Sequence, residues 1–144
     1  GKRTYCTNQI DAFIKGHRLE KRVHLLHDVT FQYLPAIYQQ AEIFVYPSRF
    51  EGFGIPIIEA LHSGIPVIAA TGSCLEEAGG PDSLYVHPDD KEGMTKAICS
   101  LLNHPEKRQH MIEQGLKYVT RFSEQRQAEE LMNLYRSLTE EKTI

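Results

Sequence analysis

Two glutamates, Glu51 and Glu59, bracket the stretch EGFGIPIIEA over residues 51–60, which follows directly on an apolar run. An ionised carboxylate only accepts hydrogen bonds, so such a pair suits adjacent hydroxyl donors, as when an acidic residue holds ribose in a dinucleotide site. Pro56 suits the first position of a helix and Gly64 the left-handed position past its last turn, which predicts a short helix over residues 56–63 with Glu59 in its first turn. The loop through Gly52, Phe53, Gly54 and Ile55 then opens onto a helix amino terminus. Unpaired N–H groups and the helix dipole attract anions there, and glycines let a ligand approach the main chain. Two carboxylates beside a bare phosphate would repel it, so they must address something else. Phosphate on the N–H groups with hydroxyls on the two acids describes a nucleotide-sugar. Turn chemistry and the dipole alone account for the same residues about as well on physical grounds.

Other polar residues carry weaker signals. Arg49 is a candidate for neutralising phosphate, although an exposed arginine beside a carboxylate is more often a surface ion pair. His62 lies three positions past Glu59 and could orient it; an ordinary helix-surface histidine is the favoured reading. His24 and His27 would point to opposite faces of a strand, which disfavours a metal pair. Asp89 and Asp90 are explained by helix capping, with Asp89 and Glu92 as a capping box.

The elements that would position the motif alternate. Residues 5–15 place Ile10, Phe13 and Ile14 at helical spacing with Gly16 to end the run, and residues 22–27, RVHLLH, read as a strand. Thr30 is placed to cap a helix over residues 31–41, its apolar face made of Leu34, Ile37, Tyr38 and Ala41. Residues 42–48, 65–70 and 83–88 read as strands, and residues 71–80 as a loop with a helical turn. The remainder is helical: one segment follows Asp89, another starts at Pro105, and Ser123 caps the last, whose stripe of Ala128, Leu131, Met132, Tyr135 and Leu138 is expected to dock on the chain's own core. Near-continuous apolar strands separated by helices predict an α/β fold, a Rossmann-like parallel sheet covered on both faces, with ligands outside the carboxyl ends of the strands. The motif follows one such end.

A chain of 144 residues with 41% hydrophobic content suggests one globular unit over residues 1–144. A net charge of −3 disfavours nucleic acid as a partner. Three scattered cysteines, Cys6, Cys74 and Cys99, suggest reduced core thiols and a cytoplasmic setting, and no apolar run approaches the roughly 18 residues of a membrane span. Peripheral membrane association of a full-length protein stays open.

The stretch YPSRFEGFGIPIIEALHSGIPVIAA resembles the Pro-Ser-x-x-Glu-Gly-Phe-Gly-x-Pro-x-x-Glu-Ala signature of the family 4 glycosyltransferases, retaining enzymes of the GT-B fold. Flanking segments, RVHLLHDV, LPAIYQQAEIFVYPS, LEEAGG, SLYVHPDD and RFSEQRQAEELMNLYR, follow the family's usual order, so nearly the whole chain resembles a carboxyl-terminal donor-binding domain. The resemblance implies that Glu51 is the catalytic glutamate approaching the donor sugar and its hydroxyls, and that Glu59 holds the ribose hydroxyls. It implies also that the backbone N–H groups of Phe53, Gly54 and Ile55 meet the diphosphate or sugar of a UDP- or GDP-sugar, with Gly52 in the same donor-binding loop. Neither a metal nor a cofactor is implied; the nucleotide-sugar is substrate. Leu75 and Glu76 stand where Pro-Glu is common, and the tryptophan often seen near the final helix is absent.

The chain opens on GKRTYC without an initiator Met, which reads as a cut piece. The resemblance implies that two strands and a helix carrying an Arg and a Lys for the diphosphate precede it, along with an amino-terminal acceptor domain. A central gap in the sheet is then expected, filled by strand swapping in an oligomer or by the rest of a longer polypeptide, and the piece alone should be catalytically silent. The alternatives are a non-catalytic nucleotide-binding module and a GT-B-type nucleotide-sugar epimerase.

Overall fold

In the computed structural model, which describes residues 5–140, three short parallel strands carry helices on both faces. The opening residues on which the expectation of a cut piece rests lie outside the described ones. The described residues divide into two compact units, the first ending at Ile37 and the second beginning at Tyr38.

In the first unit α1 (Tyr5–Gly16) ends at its glycine as expected. Residues 22–27, expected as a strand, form none. The Arg22 and Val23 N–H groups donate to the Leu19 carbonyl, holding the start of the segment in a turn. An apolar run becomes a strand only where it joins a ladder, and the three-stranded sheet of the described residues does not include it. Thr30 precedes a 3-10 turn over Phe31–Tyr33 without a side-chain capping bond, so the expected single helix is split; α2 (Leu34–Gln39) follows and runs across the boundary, so that Tyr38 belongs to the second unit.

The second unit holds β1 (Phe44–Tyr46), α3 (Ile55–His62), β2 (Val67–Ala70), α4 (Leu75–Gly79), β3 (Leu84–Val86), α5 (Lys91–Asn103), α6 (Pro105–Val119) and α7 (Glu124–Glu140). The sheet order is β1-β2-β3, parallel throughout, with Val45 opposite Ile68 and Ala69 opposite both Tyr46 and Tyr85. The expected gap falls between the 22–27 run and β1, a position outside this three-stranded order. β2 is buried at every residue, as a strand covered on both faces must be. Strand alternation sorts the core: Val67 and Ala69 pack with Ile57, Ala60, Leu61, Leu75 and Ala78 of α3 and α4, with Phe44, Tyr46 and Tyr85 against them. Ile68 faces the other way, toward Leu101 of α5 and Met111 of α6.

Helix ends follow local chemistry, with two corrections. Pro56 lies in the first turn of α3 and Gly64 adopts φ 72° after it, while Pro105 starts α6. The cap of α5 is Asp90, not Asp89: its carboxylate accepts from the Gly93 N–H at 2.8 Å, freeing Asp89 for another partner. Ser123 does cap α7, accepting from the Arg126 N–H at 3.4 Å. The α7 stripe is not docked on the core as expected, for Leu131, Met132, Tyr135 and Leu138 are each about half exposed. Amphipathic spacing defines a face without saying what covers it. The thiols are corrected likewise: Cys6 and Cys99 are exposed and Cys74 half-buried, and all three are free.

Ile57 is fully buried between α3 and the sheet. Ile57→Ala should cost about 2–5 kcal/mol in urea unfolding, while Ile55→Ala, on the exposed side of the same helix, should change stability by about 0.5 kcal/mol or less.

Candidate active site

Because the strands are parallel, the loops leaving them, residues 47–54, 71–74 and 87–90, emerge at one edge of the sheet. Two contacts tie them together. The Cys74 thiol donates to the Glu51 carbonyl at 3.2 Å, joining the loop after β2 to the loop after β1. Arg49 makes a two-pronged, exposed ion pair with Asp89, joining the loop after β1 to that after β3. The surface ion pair weighed for Arg49 is thus what the structure contains, and it holds the Asp89 carboxyl below its ordinary range.

Glu51 stands exposed at this edge. Its Oε1 accepts from the Tyr46 hydroxyl at 2.6 Å and from the Ser48 hydroxyl at 2.8 Å. The Tyr46 bond, then the Ser48 bond, lowers the Glu51 carboxyl from its usual value, and burial together with Glu51 pushes the Tyr46 phenol up to about 12. Glu59 is not in the first turn of its helix: α3 begins at Ile55 with Gly54 as its cap, which puts Glu59 in the second turn. It is half-buried, and its Oε2 accepts from the Tyr38 hydroxyl at 2.9 Å. Burial, then this bond, raises the Tyr38 phenol. His62 is exposed and makes no such bond among the described residues; the tyrosine is the partner of Glu59.

The intervening loop is held by packing, and its two glycines differ. The Phe53 ring stands edge-on to Phe122 at 5.5 Å, anchoring the loop to the turn before α7. Gly54 has φ 103°, and a Cβ there would come within 2.9 Å of Leu75 Cδ2 and 3.2 Å of Ala78 Cβ, so this glycine is required by the approach of α4. Gly52 has open space where a side chain would be, and Gly52 and Ile55 are exposed. Among the described residues no backbone carbonyl accepts from the N–H groups of Phe53, Gly54 or Ile55. Main-chain N–H groups without a backbone acceptor among the described residues thus lie between two carboxylates, exposed at Ile55, half-buried at Phe53 and buried at Gly54. Phe50, beside Glu51, is 91% exposed. The described residues hold no His, Cys, Asp and Glu cluster suited to a metal ion.

Sequence reasoning missed Tyr38, Tyr46, Ser48 and Cys74. Tyr46 and Ser48 had a signal, since positions 44, 46 and 48 share one side of an extended run that leads into Glu51. Tyr38 reads as part of an apolar helix face, and no spacing pairs it or Cys74 with the motif.

A family model described as Glycosyl transferases group 1 matches residues 7–118. The chain belongs to the glycosyl transferases group 1 family. This glycosyl transferases group 1 chain is 36% identical over 104 residues to the O-antigen chain mannosyltransferase RfbU of Salmonella typhimurium, covering 72% of this chain and 30% of that protein. It is 35% identical over 119 residues to the D-inositol 3-phosphate glycosyltransferase of Corynebacterium aurimucosum, covering 81% of this chain and 28% of that protein. Among solved structures it is similar to sucrose-phosphate synthase from Thermosynechococcus elongatus, with a TM-score of 0.80 and 29% identity over 94% of this chain and 35% of that one. The carboxyl-terminal domain of a glycosyl transferase group 1 family protein from Francisella tularensis shares the fold, with a TM-score of 0.68 over 81% of this chain and 61% of that one. The Rossmann-like sheet is therefore that of a GT-B carboxyl-terminal domain. The chain spans about 30% of the length of these two curated relatives.

Gly54→Ala should destabilise the protein by about 1–3 kcal/mol, since alanine meets both an unfavourable φ and the α4 side chains. Gly52→Ala should cost under about 1 kcal/mol. Urea unfolding of both variants checks the contrast.

Proposed function

We propose that the chain is the donor-binding half of a retaining family 4 glycosyltransferase that moves a sugar from a nucleoside-diphosphate-sugar, such as a UDP- or GDP-sugar, to a glycan, lipid or other acceptor. The observation that carries this reading is the juxtaposition at one sheet edge of free N–H groups at Phe53, Gly54 and Ile55 with the flanking acceptors Glu51 and Glu59. In this reading the N–H groups receive the diphosphate, Glu59 the ribose hydroxyls, and Glu51 the hydroxyls of the transferred sugar. As the bond from the sugar's anomeric carbon to the diphosphate oxygen breaks, charge grows on the leaving group, where fixed main-chain dipoles stabilise it without reorganising. Gly52 leaves room for the ligand, and Arg49 can add positive charge at the cost of its pairing with Asp89. Acceptor binding and the remaining positive charge belong to the amino-terminal part of the protein. The names of the mannosyltransferase and inositol phosphate glycosyltransferase relatives support glycosyl transfer as the reaction class.

Calorimetric titration of the full-length protein with UDP and GDP tests the assignment. Glu59→Ala should weaken binding of the preferred nucleotide roughly tenfold, the scale of a lost charged hydrogen bond. Glu51→Gln should leave that affinity nearly unchanged and lower turnover of the nucleotide-sugar roughly a hundredfold. Unaltered nucleotide affinity in Glu59→Ala would refute the ribose role.

A further inference from the structure

We propose that Tyr38 and Tyr46 are positioning residues, which hold the two glutamates at a set spacing through the Phe44 ring between them and leave each acid one oxygen for a donor hydroxyl. The inference rests on the proposed donor site and adds what presents its acids to the ligand.

The three rings form a row. Phe44 lies 5.4 Å from Tyr38 and 5.7 Å from Tyr46, nearly parallel to the latter at 16°. Phe44 and Tyr46 are alternate residues of β1 and so share a face, and all three rings pack on the cluster that contains Ile57 and Ala69. The row ends in two hydroxyls, one on Glu59 and one on Glu51. A carboxylate oxygen has about two lone-pair sites, and those of Glu51 Oε1 are both taken, by Tyr46 and Ser48. Oε2 is what remains for a ligand. At Glu59 the tyrosine takes Oε2, and among the described residues Oε1 has no partner.

A ring wedged on a core has few rotamers, whereas a glutamate has three rotatable bonds and an exposed one wanders. Tethering each acid to a packed phenol removes that freedom before the ligand arrives, so that binding need not supply the ordering. The arrangement also constrains chemistry at Glu51. With two hydroxyls donating to it, the carboxyl is held in its acceptor form, suited to sugar hydroxyls and not to delivering a proton. The titratable groups touching this residue are the Tyr46 phenol and, at its backbone carbonyl, the Cys74 thiol; neighbouring Arg49 is engaged by Asp89.

The test is one double-mutant cycle, on Tyr38 and Glu59, together with single variants of Tyr46 and Ser48 in the full-length protein, with melting temperature followed to show that each variant folds. Tyr38→Phe keeps the ring and removes the hydroxyl. It should weaken UDP or GDP binding roughly three- to tenfold, and add nothing when Glu59 is already alanine. Tyr46→Phe should leave nucleotide affinity unchanged. It should lower turnover, read as nucleoside diphosphate released from the UDP- or GDP-sugar, and move the acid limb of kcat/KM to higher pH. The sign follows because losing a donor to the anion raises the Glu51 carboxyl, so the active anionic form is lost earlier as pH falls. Ser48→Ala, which leaves the row intact, should shift the limb in the same direction. A full-affinity Tyr38→Phe in a protein where Glu59→Ala does weaken binding overturns the positioning role alone, as does an undiminished Tyr38→Phe effect in the Glu59→Ala background or an unmoved acid limb in Tyr46→Phe. A Glu59→Ala variant without effect overturns the donor site itself, and the positioning role with it.

Discussion

Gly54 sits in a left-handed conformation with Leu75 and Ala78 packed where a side chain would project, and the geometry of the sheet edge follows from that contact. Because no Cβ intervenes, α4 can approach the start of α3 closely. That approach brings Cys74, the residue before α4, to the carbonyl of Glu51. The same left-handed turn ends the loop and begins the helix, and among the described residues the N–H groups of Phe53, Gly54 and Ile55 have no backbone carbonyl to serve. Phe53 locks the loop from its other side by turning its ring onto Phe122. One backbone conformation thus sets both helix packing and the orientation of the free donors.

The acids at this edge are managed by neutral hydroxyls and not by cations. Glu51 and Glu59 bond to Tyr46, Ser48 and Tyr38, whereas the nearby guanidinium of Arg49 is spent on Asp89. A cation on either glutamate would compete with a ligand's hydroxyls; a phenol occupies one oxygen and leaves the rest of the carboxylate available. The Arg49–Asp89 pair is exposed on both sides, so solvent screening makes it a weak and breakable tie between loops.

Much of the second unit was legible because its signals are local. Pro56, Gly64, Pro105 and Ser123 mark helix ends through their own backbone preferences or a side chain reaching a few residues on, and residues 44–46, 67–70 and 84–86 are apolar runs bounded by turn formers. The failures share one cause, which is that the outcome lay with a partner elsewhere. The run at 22–27 opens in a turn held by the Leu19 carbonyl, and the α7 stripe needed a surface to cover it. Asp89 or Asp90 could each have capped α5; Asp90 took the Gly93 N–H, and Asp89 pairs with an arginine forty residues earlier.

By itself the sequence determined the motif, its place after a buried strand, and the two carboxylates with a proline and glycines between them, because residue type and spacing alone set φ, helix entry and donor or acceptor character. Only the tertiary structure decided which oxygen of each glutamate is occupied, that Gly54 serves α4 while Gly52 faces open space, and that an aromatic row links the two acids. Those are relations between residues brought together by burying β2 on both faces, and a linear pattern carries no record of which distant side chain that burial will place within hydrogen-bonding reach.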